Sequence, residues 1–243
     1  MYSRMDFLKN KKLIFRRTLE FDCSYLYGRK EKRLYVNLLN SNKNNSLISD
    51  LTENGFRRSF DHMYVPICES CNLCISSRIN INKFTLSKSN KRNLKLNQDL
   101  RLIKASNSLN DRRYKLFTEY CIKRHKESKM GEMTVEEFSS FFYNQRNKTE
   151  ILDLIDNSNN LFGSILLDIL DNGYSAVYSF FDARLSKRGL GKNLIIQTVL
   201  KLKKKKVPYL YLGYWVKDSN KMKYKILFNN VELFRNGVWT EKS

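Results

Sequence analysis

Cys68, Cys71 and Cys74 recur at every third residue in Tyr64-Val-Pro-Ile-Cys-Glu-Ser-Cys-Asn-Leu-Cys74. A C-x2-C-x2-C spacing lets several thiolates turn toward one point, the geometry that zinc or an iron-sulfur cluster requires. Three thiolates leave a tetrahedral site one ligand short. Cys23, in Phe21-Asp-Cys-Ser-Tyr-Leu26, is the expected fourth, because the remaining cysteine, Cys121, falls inside a helical pattern. The plainer reading is a set of reduced thiols packed as small hydrophobes.

A second concentration of chemistry is Asp182-Ala-Arg-Leu-Ser-Lys-Arg188-Gly-Leu-Gly191. Placed between a strand and a helix, its backbone N–H groups and Arg188 can hold a phosphate or a developing oxyanion at the helix N-terminus. The alternative is a tight turn with a close helix-strand contact at the glycines. The pyrophosphate loop of acyl-CoA N-acetyltransferases usually carries Arg or Gln three residues before its first glycine. Here that place is Ser186, which disfavours coenzyme A.

The elements that must position these residues follow from punctuation and periodicity. Ser41 to Asn45 reads as a polar turn, and Ser46 to Asn54 as a short helix with Ile48 and Leu51 inward and Gly55 as its stop. Asn80 to Phe84 reads as a strand and Leu100 to Asn110 as a connector, so a soft domain boundary falls near Arg101. Tyr114, Phe117, Cys121 and Arg124 recur at helical spacing within Arg112 to Lys126, with His125 at the helix end. Thr134 and Glu137 form a capping box ahead of Phe138, Phe141 and Phe142. Leu161 to Leu170 and Tyr174 to Phe181 are strands joined by Asp171-Asn-Gly173, a hairpin signal. A helix from Lys192 to about Lys203 buries Leu194, Ile195, Val199 and Leu202, and Pro208 introduces a strand over Tyr209 to Trp215. Hairpin, glycine-bearing turn, helix and strand in this order is the core arrangement of the acetyltransferase (GNAT-like) fold. The expected architecture is mixed α/β: a Cys-containing N-terminal domain over residues 1–100, with an acetyltransferase-like domain over 101–243 packed on it.

With 243 residues the chain can bury a sizeable core without disulfide staples. Met1 to Lys12 lack the apolar stretch of a signal peptide, and no run of about twenty apolar residues occurs, so a cytoplasmic protein with reduced thiols is expected. Its 45 Lys and Arg against 24 Asp and Glu give a formal charge of +21, a field that favours a polyanion such as a nucleic acid. Part of that excess is compositional drift toward Lys, Asn and Ile. The run Lys201 to Lys206 suits a solvated helix end, whereas paired arginines such as Arg57-Arg58 are harder to ascribe to drift.

Taken in order, these segments resemble the aminoacyl-tRNA-protein transferase family, the bacterial aspartate/glutamate leucyltransferases in particular. The matching stretches are Cys23-Ser-Tyr-Leu26, Gly55-Phe-Arg-Arg-Ser59, Tyr64 to Cys74 with Arg78, and Phe84-Thr-Leu-Ser-Lys-Ser89. In the second half they are Asp168 to Tyr178, Phe181-Asp182, Arg188-Gly-Leu-Gly191, Tyr209 to Trp215, Met222-Lys-Tyr-Lys225 and Glu232. The resemblance runs from about Cys23 to Trp239. Leu86 and Ala183 stand where the family usually has proline, and Gly189 where it more often has serine, so no hydroxyl at position 189 is essential.

The resemblance implies transfer of leucine from leucyl-tRNA to the α-amino group of proteins beginning with Asp or Glu, which marks them for N-end-rule degradation. The partners would be aminoacyl-tRNA and those proteins, with no membrane and no DNA. Because the donor is already an activated ester, no Ser or Cys nucleophile is needed. The enzyme must position an amine, accept its proton and stabilise an oxyanion. Asp168 and Asp182, with Tyr178 as an orienting hydroxyl, are the catalytic candidates, against the plainer roles of turn cap or salt-bridge partner. Arg57, Arg58 and Arg78 suit an acidic side chain, since bidentate arginine receives a carboxylate better than lysine does. Arg188 and Gly191 belong to the loop, and Tyr211, Tyr214 and Trp215 would stack on the terminal adenine or line the leucine pocket, unless they are core. No cofactor is required for the chemistry, with zinc or an iron-sulfur centre at the cysteines the one cofactor expected. Arginyl transfer, a coenzyme A acetyltransferase and a non-catalytic, metal-dependent RNA-binding protein are the alternatives.

Overall fold

The computed structural model describes residues 13–38, 44–124, 129–143 and 147–242. Along the chain it forms β1 (Arg16–Arg17), β2 (Phe21–Asp22), β3 (Lys30–Glu31), β4 (Arg33–Asn37), α1 (Asn44–Glu53), β5 (Arg57–Ser59), β6 (His62–Pro66) and β7 (Ile75–Asn80). Then come α2 (Lys88–Leu96), β8 (Arg101–Lys104), α3 (Asp111–Arg124), α4 (Val135–Phe142), β9 (Thr149–Ile155), β10 (Leu161–Leu170) and β11 (Gly173–Phe181). The last elements are α5 (Leu190–Lys204), β12 (Tyr209–Trp215), β13 (Val231–Arg235) and β14 (Val238–Glu241). These elements make two compact units, each drawn from separate stretches of chain. One holds the described residues up to Thr85 with Leu170–Ser175 and everything from Pro208 on, and the other holds Leu86–Ile169 with Ala176–Val207. The division expected near Arg101 is linear, whereas these units interleave.

In the first unit, β1-β4-β6-β5 form one antiparallel sheet and β14-β13-β7-β12 another, to which Gly173–Ser175 add in parallel beside Tyr209–Tyr211. Gly173 is required at that junction, because a Cβ there would lie 2.6 Å from the Tyr209 carbonyl oxygen. Helix α1 forms as its pattern predicts, with Ile48 and Leu51 fully buried among Val36, Phe56, Met63 and Leu170. Gly55 closes it at φ +85°, a left-handed conformation that favours glycine.

The second unit is built on the sheet order β11-β10-β9-β8. The expected capping box is present at Thr134 and Glu137, and α3 and α4 bring Phe117, Phe138 and Phe142 onto Phe180 in an aromatic core. Cys121 is buried in that core, as its helical spacing predicts. Helix α5 buries Leu194, Ile195, Val199 and Leu202, and Gly163 lets it approach β10, since a Cβ there would meet Leu194 at 3.0 Å.

Two expectations about elements are corrected. The strand assigned to Asn80–Phe84 lies earlier, at Ile75–Asn80, because those residues pair with Tyr209–Trp215, and the chain then turns with the Ile81 N–H on the Pro208 carbonyl. The connector Leu100–Asn110 contains the edge strand β8, paired to β9. Three of its four residues are exposed, so it carries little of the alternation that marks a strand. Of the Ser41–Asn45 turn, residues 41–43 lie outside the described residues and Asn45 is in α1; His125 and Met1–Lys12 also lie outside them.

Candidate active site

In the first unit a small recess, partly open to solvent, is lined by Thr52, Phe56, Arg57, Ser76, Ser77, Ser175, Tyr211, Gly213 and Trp239. Arg57 reaches it from β5, and its Nη1 donates to Tyr25 Oη at 3.4 Å. Burial works against the charge on Arg57, and the hydroxyl oxygens of Tyr25, Tyr64 and Tyr214 outweigh it, so its pKa is raised. Its path is open because residue 213 has no side chain: a Cβ on Gly213 would sit 3.3 Å from Arg57 Cδ and Nε, and Gly213 is at φ +71°.

Arg78, on β7, is enclosed differently. Its Nε donates to Glu232 at 2.7 Å and its Nη1 to Tyr211 Oη at 3.2 Å, while its guanidinium stacks 3.7 Å from the Tyr209 ring centroid and 4.3 Å from that of Trp239. Asn80 donates to the other Glu232 oxygen at 2.8 Å. Arg78 and Glu232 thus hold the Tyr211–Trp239 wall of the recess. Arg58 is buried with its Nη1 on the Phe60 carbonyl at 2.8 Å. Tyr214 Oη donates to the Tyr64 carbonyl at 2.9 Å, and both Tyr214 and Trp215 are buried. Lys225, also buried, donates to the Tyr214 carbonyl at 2.7 Å, and burial first, with Arg57 second, holds its pKa well below the usual lysine range.

The four cysteines singled out in the sequence share one neighbourhood. Burial is the first cause that pushes the Cys74 thiol up to about 12, and Glu31, Cys23, Cys68 and Cys71 push in the same direction. Among the described residues, no group of three or more His, Cys, Asp or Glu side chains has the geometry of a metal site.

In the second unit Asp168 is fully buried on β10 and accepts from Asn147 Nδ2 at 2.9 Å. Tyr178 contacts Cys121 Sγ at 3.6 Å and packs against Phe117 and Phe141. Asp182 caps the 3-10 turn Ala183–Arg188 through the Arg184 N–H at 2.9 Å and accepts from the Arg184 guanidinium on both oxygens. Hydrogen bonding from Arg184 holds its carboxyl below the ordinary range against a smaller opposing effect of burial. Arg188 donates to Asn97 Oδ1 at 3.0 Å and pairs with Asp99. Gly191 lets α5 lie against Phe181, whose ring a Cβ would meet at 2.6 Å.

Comparison with known proteins bears on what such a chain does. The models of the N-terminal and C-terminal parts of arginine-tRNA-protein transferase match residues 21–92 and 112–235. A protein of Marinobacter nauticus named aspartate/glutamate leucyltransferase is 35% identical over 232 residues, 95% of this chain and 97% of that one. Another of that name, from Saccharophagus degradans, is 37% identical over 222 residues, 91% of this chain and 94% of that one. The chain belongs to the arginine-tRNA-protein transferase family. It is an aminoacyltransferase, and its family implies tRNA and protein substrates. The crystal structure of FemX shares the fold, with a TM-score of 0.50 at 7% identity over 78% of this chain and 65% of that one. The architecture is mixed α/β.

Within this transferase, the first unit brings Arg57 and Tyr211 to one recess with Arg78 behind it, and the second unit holds Asp168, Tyr178, Asp182, Arg188 and Gly191. Sequence reasoning missed Thr52, Phe56, Ser76, Ser77, Ser175, Gly213 and Trp239 as lining residues. A usable signal for one of them was the glycine inside the aromatic run Tyr209 to Trp215, since glycine in a strand marks a bulge or a close approach. No helix among the described residues is long and apolar enough to cross a membrane.

Proposed function

We propose that this chain transfers leucine from leucyl-tRNA to the α-amino group of proteins that begin with Asp or Glu, so marking them for degradation in the cytoplasm. The observation that carries this reading is similarity over nearly the whole of two relatives named for that reaction. The acceptor amine attacks the leucyl ester carbonyl, a tetrahedral intermediate forms, and the terminal ribose oxygen of the tRNA leaves. Because an α-amino group titrates near roughly 7.7 to 8.0, a water relay suffices to take its proton. Arg57 receives the acceptor carboxylate at the small recess of the first unit as a charge-assisted bidentate pair. Asp168, Asp182 and Tyr178 act as positioning groups in the second unit, a role consistent with the hydrogen bonds that already hold each of them.

The cysteines Cys23, Cys68, Cys71 and Cys74 form a structural zinc or iron-sulfur site in this reading. Its support is the soft donor set and the mutual electrostatic effect on Cys74, which a cation binding the thiolates would relieve. Such a group would supply folding energy and take no part in transfer.

One preparation tests both. Purified under anaerobic conditions, the protein is given leucyl-tRNA or arginyl-tRNA with peptides that differ only in a first Asp, Glu or Lys. Leucine on the Asp and Glu peptides alone is expected; arginine transfer, or equal use of the Lys peptide, overturns the reading. Metal analysis and visible absorption of the same sample are expected to give a stoichiometric metal, lost when Cys71 is replaced by Ser. An active protein without metal leaves the cysteines as packing thiols.

A further inference from the structure

Helix α2 has two faces of opposite character. Asn90, Asn93, Leu94 and Asn97 recur at i, i+3, i+4 and i+7 on the side turned into the second unit, where Asn90 and Asn97 are buried and Asn93 and Leu94 half-buried. Asn93 Nδ2 donates to the Arg188 carbonyl at 3.1 Å, Asn97 Nδ2 donates to the same carbonyl at 2.9 Å, and Asn193 Nδ2 donates to Asn93 Oδ1 at 3.1 Å. These bonds pin the helix to the start of α5. Its other face repeats the spacing with Lys88, Lys91, Arg92 and Lys95, all exposed.

That cationic face is not balanced from within. The helix has no acidic residue, so Lys88 opposes the positive end of the helix dipole and the pairs 88/92 and 91/95 place like charges one turn apart. None of the four makes an ion pair or a side-chain hydrogen bond among the described residues, although other lysines do: exposed Lys30 with Asp22 at 2.7 Å, half-buried Lys32 with Glu69 at 3.0 Å and exposed Lys83 with Glu241 at 2.6 Å. The nearest carboxylate past the helix, Asp99, is taken by Arg188. A fifth cation is added rather than removed: Lys192 on α5 donates to Ser89 at 2.8 Å and feels the charge of Arg92. Repulsion held in a rigid element is relieved by a polyanion, and four cations spread over about 10 Å of helix axis can face successive phosphates.

We infer that the exposed face of α2, with Lys192, is the surface that grips the phosphate backbone of the charged tRNA. This rests on the transferase reading and adds where the RNA is held. Backbone contacts of this kind position the nucleic acid and set affinity without reading bases.

The test compares wild type, the variant K88Q/K91Q/R92Q/K95Q, the charge-conserving variant K88R/K91R/K95R and a control, K201Q/K204Q/K206Q, in which another lysine run is neutralised. Leucyl-tRNA binding is measured against salt, and KM for tRNA and for an Asp-initiated peptide is measured separately. In the glutamine variant the slope of log affinity against log salt should fall in magnitude by about 2 to 3, and KM for tRNA should rise roughly tenfold or more, because each lost phosphate contact removes a released counterion. KM for the peptide should stay, as should both properties of the arginine and control variants. An unchanged slope in the glutamine variant, or a loss in the control instead, overturns the proposal. If the fourfold variant does not fold, single Lys91→Gln and Arg92→Gln are each expected to lower the slope by somewhat under 1, and no change in either overturns it. Wild type that accepts no charged tRNA at all would count against the transferase reading rather than against this surface.

Discussion

The enclosed arginines of the first unit and the open cations of α2 in the second solve different problems with the same charge. Arg78 is sandwiched between Tyr209 and Trp239 and matched to Glu232, and Arg57 is ringed by tyrosine hydroxyls beside a small recess. Charges so enclosed have one geometry and suit one small carboxylate. The α2 cations are solvated, alike and in a row, which suits a polymer whose phosphates are all equivalent. Buried charge selects; exposed charge gathers.

The sharpest way to break the comparison is at Glu232. With Glu232→Ala the guanidinium of Arg78 loses its carboxylate while still buried, and removing one partner of such a pair costs about 3–5 kcal/mol. Denaturant unfolding should register that loss, and the double variant Arg78→Met, Glu232→Leu should recover most of it, since a well-packed apolar pair is often as stable as a buried ion pair. A loss under about 1 kcal/mol in the single variant would mean that water reaches Arg78 and that it belongs with the open cations.

A smaller effect is expected at Gly213. Alanine there meets the cost of a left-handed residue, about 1–2 kcal/mol, and also presses on the Arg57 side chain. Gly28 has the same φ of +71° with nothing within 4 Å of the Cβ position. Gly28→Ala should therefore show the same strain in stability with an unchanged KM for the acceptor peptide, whereas Gly213→Ala should raise that KM several-fold. Equal kinetics in the two variants would detach Arg57 from the acceptor.

The sequence is legible wherever local rules decide the outcome. The Thr134–Glu137 box, the Asp171-Asn-Gly173 turn, the burial of Ile48 and Leu51, and the start of β12 after Pro208 all depend on residues a few positions apart. Edge strand β8 and the true place of β7 depend on partners 48 to 140 residues away, Thr149–Ile155 and Tyr209–Trp215, whose pairing no local periodicity encodes. The candidate site divides the same way. Arg57, Arg78 and Tyr211 stand out by residue type, but the match of Arg78 depends on Glu232, 154 residues beyond it. The interleaving of the two units has the same cause: the turn at 170–175 and the strand after Pro208 return to the first unit after the chain has left it.

The mildest test falls on Asp182, which lies between the two regimes: its own side chain is nearly buried, but its partner Arg184 is 68% exposed. An ion pair with so exposed a partner contributes about 0–1 kcal/mol, and the cap to the Arg184 N–H about as much. Asp182→Asn keeps a capping side chain and removes the charge, so a loss of at most about 1 kcal/mol is expected at pH 7. The sign with pH follows from the lowered carboxyl: the folded protein releases this proton more readily than the unfolded chain, whose aspartates titrate near ~3.9. Its contribution is complete above that value and lost as pH falls through the folded pKa, so the gap between wild type and variant should close on acidification from about pH 5. Transfer should slow several-fold with its pH profile unmoved, because a carboxylate bonded through both oxygens to Arg184 positions the turn and takes no proton from the acceptor amine. A profile shifted by Asp182→Asn would place that carboxylate in the proton transfer itself.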